Sequence, residues 1–177
     1  MAFKDYFSKQ ADKYTQYRPR YPRELFEFLA SLPARRDSAW DCGTGNGQAA
    51  AGLAEFFAEV IGTDASAEQI AHSQRHERVR YIVSSAEDCP LADGSVDLVT
   101  VAQALHWFDR ERFYAQVRRV SRPGGVLAFW SYGLATISRP VDRVVWHLYS
   151  DLLEPTGLPS GYRWRSGTTQ SPFPSRK

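Results

Sequence analysis

The stretch Asp41-Cys42-Gly43-Thr44-Gly45-Asn46-Gly47-Gln48 limits what this chain can fold into more than any other part of it. Three glycines at alternate positions remove three side chains where the backbone must turn sharply and a ligand can come close. The apolar pair Ala39-Trp40 leads into the stretch, and an alanine-rich run over residues 49–58 follows with good helix propensity. The local reading is strand, tight glycine turn, helix. The first turn of such a helix offers free N–H groups and the positive end of a dipole. That arrangement suits a nucleotide-type ligand.

The rest of the chain repeats the alternation. Tyr21-Pro22 opens a helix with proline at a favoured first position, and Leu25, Phe28, Leu29 and Leu32 recur at helical spacing as its buried face. Residues 59–64 read as a second strand ending on Asp64. Ser66-Ala67-Glu68-Gln69 has the spacing of a capping box, so a helix starts there. Residues 79–84 form strand three. Residues 96–102 form strand four, which is nearly all apolar, as a strand buried on both faces requires. Asp109 caps a helix whose Phe113, Val117 and Val120 share a face, and Arg122-Pro123-Gly124-Gly125 stops it. Residues 126–130 form strand five. A further helix over residues 138–153 turns Val141, Val144, Val145, Leu148 and Leu152 inward. Strands alternating with helices at this spacing give an α/β fold with a parallel sheet and right-handed crossovers.

Composition excludes several classes. A formal net charge of +2, with no isolated basic block, does not suggest a nucleic-acid partner. No apolar run approaches the roughly 18 residues of a membrane span. The start, Met1-Ala2-Phe3-Lys4-Asp5-Tyr6, has no apolar core of a signal peptide. Cys42 and Cys89, the two cysteines, read as free buried thiols of a reducing, cytoplasmic compartment.

Taken together the motifs resemble those of class I S-adenosylmethionine (SAM)-dependent methyltransferases, in the small-molecule branch that includes trans-aconitate methyltransferase-like proteins. The resemblance covers about residues 1–153. It rests on Asp41-x-Gly43-x-Gly45-x-Gly47, on Asp64 closing strand two, and on Ser85-Ala86-Glu87-Asp88 after strand three. It rests further on Asp97-Leu98-Val99 running into Gln103-x-x-His106-Trp107-Phe108, and on Arg122-Pro123-Gly124-Gly125. A nicotinamide dehydrogenase would need glycine at the sixth position of its fingerprint, where this chain has Gln48. An acid directly before the turn also suits a cationic amino-acid ligand better than a pyrophosphate.

The resemblance implies a Rossmann-like, mostly parallel sheet with helices on both faces, binding SAM and releasing S-adenosylhomocysteine (SAH). It implies that Gly43, Thr44, Gly45 and Gly47 wrap the methionine part of the cofactor and that Asp41 faces its ammonium end. Asp64, with Ala65 beside it, accepts the ribose hydroxyls. Ser85, Ala86 and Glu87 hold the adenine edge, with serine where relatives often carry aspartate. Gln103 lies near the methionine and sulfonium end. His106 is a candidate general base, with a helix-leading histidine as the plainer reading. Trp107 is either wall packing or a face for the cationic methyl group. Arg18 or Arg20 could clamp a carboxylate on the acceptor. No metal ligand cluster is expected.

Residues 1–33 are expected as an N-terminal arm and helix that can act as a lid. Residues 154–177 are expected as an irregular tail, since 14 of these 24 are Gly, Pro, Ser or Thr. The class adds two strands after strand five, and this tail does not read as strands. A shifted reading frame would account for it: residues 154–159 can be encoded so that the neighbouring frame reads Pro-Tyr-Trp-Pro, similar to relatives. Strand five would then be an exposed edge and a template for self-association. The expected function is methyl transfer to a small molecule. The alternative is a SAM-binding protein without catalysis, lacking its acceptor pocket.

Overall fold

Strand β1 (Ser38–Cys42) is buried along its whole length, because it has a parallel neighbour on each side and packed layers on both faces. The computed structural model describes residues 20–131 and 138–147. The chain divides after Ser131 into two units. In the first, the order is α1 (Arg23–Ser31), β1, α2 (Gln48–Leu53), β2 (Glu59–Asp64), α3 (Ala67–Ala71), β3 (Val79–Val83), β4 (Val96–Ala102), a 3-10 turn (Leu105–Trp107), α4 (Arg110–Val120) and β5 (Ser121–Trp130). The second unit contributes α5 (Arg139–Trp146). Among the described residues no helix is long and apolar enough to cross a membrane.

The sheet order is β3-β2-β1-β4-β5, and every pairing is parallel. This is the parallel α/β sheet that the alternation predicts and the Rossmann-like architecture that the resemblance implies. All five carboxyl ends therefore lie along one edge. The chain winds one way from β1 through β2 to β3 and the other way through β4 to β5. A crevice at such a reversal is where open α/β sheets bind ligands. Successive side chains of β1 point to opposite faces. Trp40 joins a core with Phe113, Val117 and Val120, and Ala39 joins one with Phe26, Leu29, Leu53 and Phe57. Trp40 is fully buried, and its indole N–H is satisfied by Thr63 Oγ1 at 2.9 Å.

The opposite, amino edge is locked by Asp97 and Arg122. Asp97 Oδ2 accepts the backbone N–H groups of Asp37 and Ser38 at 2.9 and 3.0 Å, and Arg122 Nη1 donates to Asp97 Oδ1 at 2.9 Å. Burial alone would raise the Asp97 carboxyl. The Ser38 N–H, Arg122 and the Asp37 N–H outweigh it and hold the group below its ordinary value. The motif Arg122-Pro123-Gly124-Gly125 thus ties the starts of β1, β4 and β5 together, away from the ligand edge.

Several local expectations need correction. Helix α1 begins at Arg23 with Pro22 as its cap, and its buried face is Phe26, Leu29 and Ala30. Phe28 and Leu32, expected inside, are 60% and 43% exposed. The reason lies in α2: Gly52 has no Cβ, and the Phe26 ring occupies the space one would need. That contact sets the rotation of α1. Helix α2 stops at Leu53 rather than running to residue 58. Strand β5 begins at Ser121, directly after α4, and takes in the Arg-Pro-Gly-Gly segment with a register shift opposite Val96 and Leu98. In α5, Val141 and Val144 are exposed rather than inward. Leu148 and Leu152, the arm over residues 1–19 and the tail over 154–177 lie outside the described residues.

Candidate functional site

The carboxyl edge carries a row of polar groups. Gly43, Gly45 and Gly47 all adopt left-handed backbone, with φ of 69°, 54° and 80°. This conformation is nearly free for glycine and costs other residues about 1–2 kcal/mol. The turn they form is anchored from β2. The N–H groups of Gly43 and Thr44 donate to the Thr63 carbonyl at 2.8 and 2.9 Å, and Gly45 N–H donates to Asp64 Oδ2 at 2.8 Å. The other Asp64 oxygen accepts from Ser66 N–H at 2.9 Å, at the start of α3. Asp64 is therefore half-buried at the end of β2 and joins the glycine turn to the next helix. Ser66 caps that helix as the sequence suggests, with its Oγ accepting from Gln69 N–H at 3.3 Å.

The loop after β3 lies next to Asp64. Ser84 N–H donates to the Asp64 carbonyl at 2.9 Å, which brings Ser85, Ala86 and Glu87 to the same edge. Ala86 is buried and Ser85 half-buried. The Glu87 side chain turns away and accepts from Asp109 N–H at 2.9 Å, helping to cap α4. On the other side of β1, Gln103 leaves β4 with φ of 61°, the only left-handed non-glycine among the described residues. Such strain persists where the surroundings impose it and gathers at functional sites. His106 and Trp107 follow in the 3-10 turn, exposed, with ring centroids 4.8 Å apart. Partial burial holds the His106 imidazole below its ordinary value, which favours the neutral, proton-accepting form.

This edge explains what the sequence left open at two glycines. A Cβ on Gly43 would lie 2.6 Å from the Ala104 Cβ, and one on Gly47 would overlap the Tyr81 phenol. Both glycines admit protein neighbours.

A family model for the methyltransferase domain matches residues 40–129, about half of the chain. The chain belongs to the methyltransferase domain family. A relative from Dictyostelium discoideum described as a methyltransferase is 42% identical over 82% of this chain and 56% of its own length. One from Saccharomyces cerevisiae, described as an S-adenosylmethionine-dependent methyltransferase, is 37% identical over 67% of this chain and 44% of its own length. The chain thus spans about half the length of these curated relatives. Among solved structures, a chain from Anaeromyxobacter dehalogenans described as a type II methyltransferase superposes with a TM-score of 0.76 at 48% identity. That match covers 89% of this chain and 67% of the other. The cofactor that goes with this family is SAM.

The residues present fit that cofactor. A carboxylate stands at the end of β2 beside a glycine turn, and Gln48 Oε1, at the first position after the turn, is buried with no hydrogen-bond partner among the described residues. A buried acceptor left open calls for a donor from a ligand or water.

Asp41 sits behind the turn. It is fully buried, its Oδ2 accepting from Thr44 Oγ1 at 2.6 Å and its Oδ1 from Thr100 Oγ1 at 2.8 Å. Burial pushes its carboxyl up to about 6, with Thr44 and Thr100 only partly offsetting this. A folded-state value above the ordinary one means that the folded chain holds this proton longer than the unfolded chain. The resulting stabilisation is complete below about pH 3.8 and is lost as pH rises through about 6. It amounts to about 3 kcal/mol. Asp41→Asn keeps a neutral group that both hydroxyls can still engage by reorienting. Urea denaturation of both proteins from about pH 4 to pH 7 is expected to show Asn gaining on wild type by that amount. A difference that stays flat across the range would contradict this account.

Thr100 was not among the candidate residues, although a hydroxyl in the middle of an apolar strand was a visible signal. Nor was Tyr81, whose hydroxyl donates to the Gln74 carbonyl at 2.7 Å. Its contact with Gly47 joins residues 34 apart and had no local mark.

Proposed function

We propose that this chain binds SAM along the carboxyl edge of the sheet and transfers its methyl group to a small-molecule acceptor. The observation that carries the reading is the Asp64 carboxylate, linked at 2.8 Å to Gly45 N–H and next to the loop that begins at Ser84. Turn, acid and loop stand in one row, the order of methionine, ribose and adenine along the cofactor. Gly43, Thr44, Gly45 and Gly47 wrap the methionine part, with Asp41 supporting them from behind through Thr44. Asp64 and Ala65 meet the ribose, each carboxylate oxygen having room for more than one donor. Ser85 and the backbone of Ala86 and Glu87 meet the adenine. Gln103 stands at the sulfonium end.

When bound, the cofactor supplies a methyl group already activated by sulfur. The chain's own contribution is to orient the acceptor and exclude water, and alignment of this kind is worth roughly 7–11 kcal/mol. His106, neutral at physiological pH, would accept the proton of a hydroxyl or amine acceptor. Calorimetric titration of the 177-residue chain with SAM, SAH and NAD tests the proposal. Micromolar binding of both sulfur ligands and none of NAD is expected. A folded chain that binds neither would refute the site, and binding without turnover on any acceptor would refute methyl transfer.

A further inference from the structure

The glycine turn is held on its outer side by a segment that the cofactor reading does not use. Residues 73–76 run between α3 and β3 without regular structure, and two of them reach back to the turn. Gln74 N–H donates to the Asn46 carbonyl at 2.9 Å, and Ser73 Oγ lies 3.2 Å from the Gly45 carbonyl. The Ser73 hydroxyl has one proton, which it shares with the Gln69 carbonyl at 3.0 Å. Gln74 is exposed and is fixed by Tyr81, whose hydroxyl donates to the Gln74 carbonyl at 2.7 Å. Two missing side chains fix Tyr81 itself. Its register partner on β2 is Gly62, where a Cβ would lie 2.8 Å from the ring, and the same ring fills the space a Cβ on Gly47 would need. Burial pushes the phenol up to about 12, so it keeps its proton and donates at physiological pH. A continuous path of contacts thus runs from β3 through Tyr81 and Gln74 to Asn46.

A turn built on three left-handed glycines is free to rearrange unless its surroundings hold it, because glycine has the widest choice of backbone conformations. A ligand that needs one of those conformations binds in proportion to the fraction of chains that adopt it. We propose that Tyr81 is a positioning residue for the cofactor: through Gln74 it braces residues 45–47, so that the methionine part meets a turn already in shape. The inference rests on the SAM-binding reading above and extends that site to a residue in the middle of β3, an outer strand of the sheet.

Tyr81→Phe removes the hydroxyl and keeps the ring in its slot. The full chain and the variant are titrated with SAH and with methylthioadenosine, which lacks the amino-acid part of the cofactor. SAH affinity is expected to fall by about fivefold, the equivalent of one hydrogen bond of about 1 kcal/mol, and methylthioadenosine affinity to stay unchanged. In the ligand-free chain, amide hydrogen exchange at Gly45 and Gly47 is expected to quicken by a similar factor, while the buried Val99 of β4 keeps its rate. Ser73→Ala, an independent variant, is expected to move the same readouts in the same direction. Equal losses for both ligands, or faster exchange throughout the sheet, would make Tyr81 a general stabiliser of the fold and overturn the proposal. Unchanged affinity and exchange in Tyr81→Phe would overturn it as well. If the wild-type chain binds neither ligand, the function proposed above fails, and the exchange rates by themselves decide whether Tyr81 braces the turn.

Discussion

Asp64→Ala is expected to weaken SAH binding by at least about 100-fold, since in the proposed site it removes the charged acceptor for two ribose hydroxyls, each such bond contributing about 1.5–3 kcal/mol. The same substitution strips Gly45 N–H and Ser66 N–H of their acceptor at 2.8 and 2.9 Å. It therefore lowers stability too, by about 1 kcal/mol for each bond lost. Asp64→Asn divides the two effects. It retains an acceptor oxygen for only one of the two backbone N–H groups and loses the charge, so its stability should fall by about 1 kcal/mol, half the loss in Asp64→Ala, while its affinity falls by about tenfold. Calorimetry gives the affinities, and denaturant midpoints give the stabilities. Affinity unchanged in a folded Asp64→Ala chain would remove Asp64 from the ribose site and leave it as an anchor of the turn.

Gly47→Ala is expected to destabilise the fold by about 2–5 kcal/mol. Left-handed backbone costs an alanine about 1–2 kcal/mol, and forcing a methyl group into occupied space adds about 1–3 kcal/mol. The occupied space belongs to Tyr81. In a Tyr81→Ala background only the backbone part should remain, so the same substitution should cost about 1–2 kcal/mol. The difference between the two costs, measured by urea denaturation, is the energy of the collision. Equal costs in the two backgrounds would mean that backbone conformation alone requires this glycine.

Elements with a strong local pattern were legible at the level of single residues. β2 (Glu59–Asp64) and β4 (Val96–Ala102) stand where the apolar runs put them. Asp109 caps α4, and Phe113, Val117 and Val120 form its buried face. Signals with a longer reach misled. Phe28 and Leu32 have the right spacing for a buried face, but a helix has more than one such row, and Gly52 on the neighbouring helix selected the row that begins at Phe26.

By itself the sequence determined the class of fold and which glycines, acids and polar residues close the strands at the carboxyl edge. Each of those follows from short-range chemistry: a glycine turn after an apolar strand, an acid at a strand end, a polar residue before a helix. Only the tertiary structure decided which partners these residues meet. Asp41 lies behind the turn because Thr100, 59 positions away, meets it from β4. Glu87 caps α4 from 22 positions away. Gln103 and Trp130 became neighbours through the pairing of β4 with β5. Partners so far apart are set by strand order and register, which depend on how the whole sheet packs and leave no mark in local spacing.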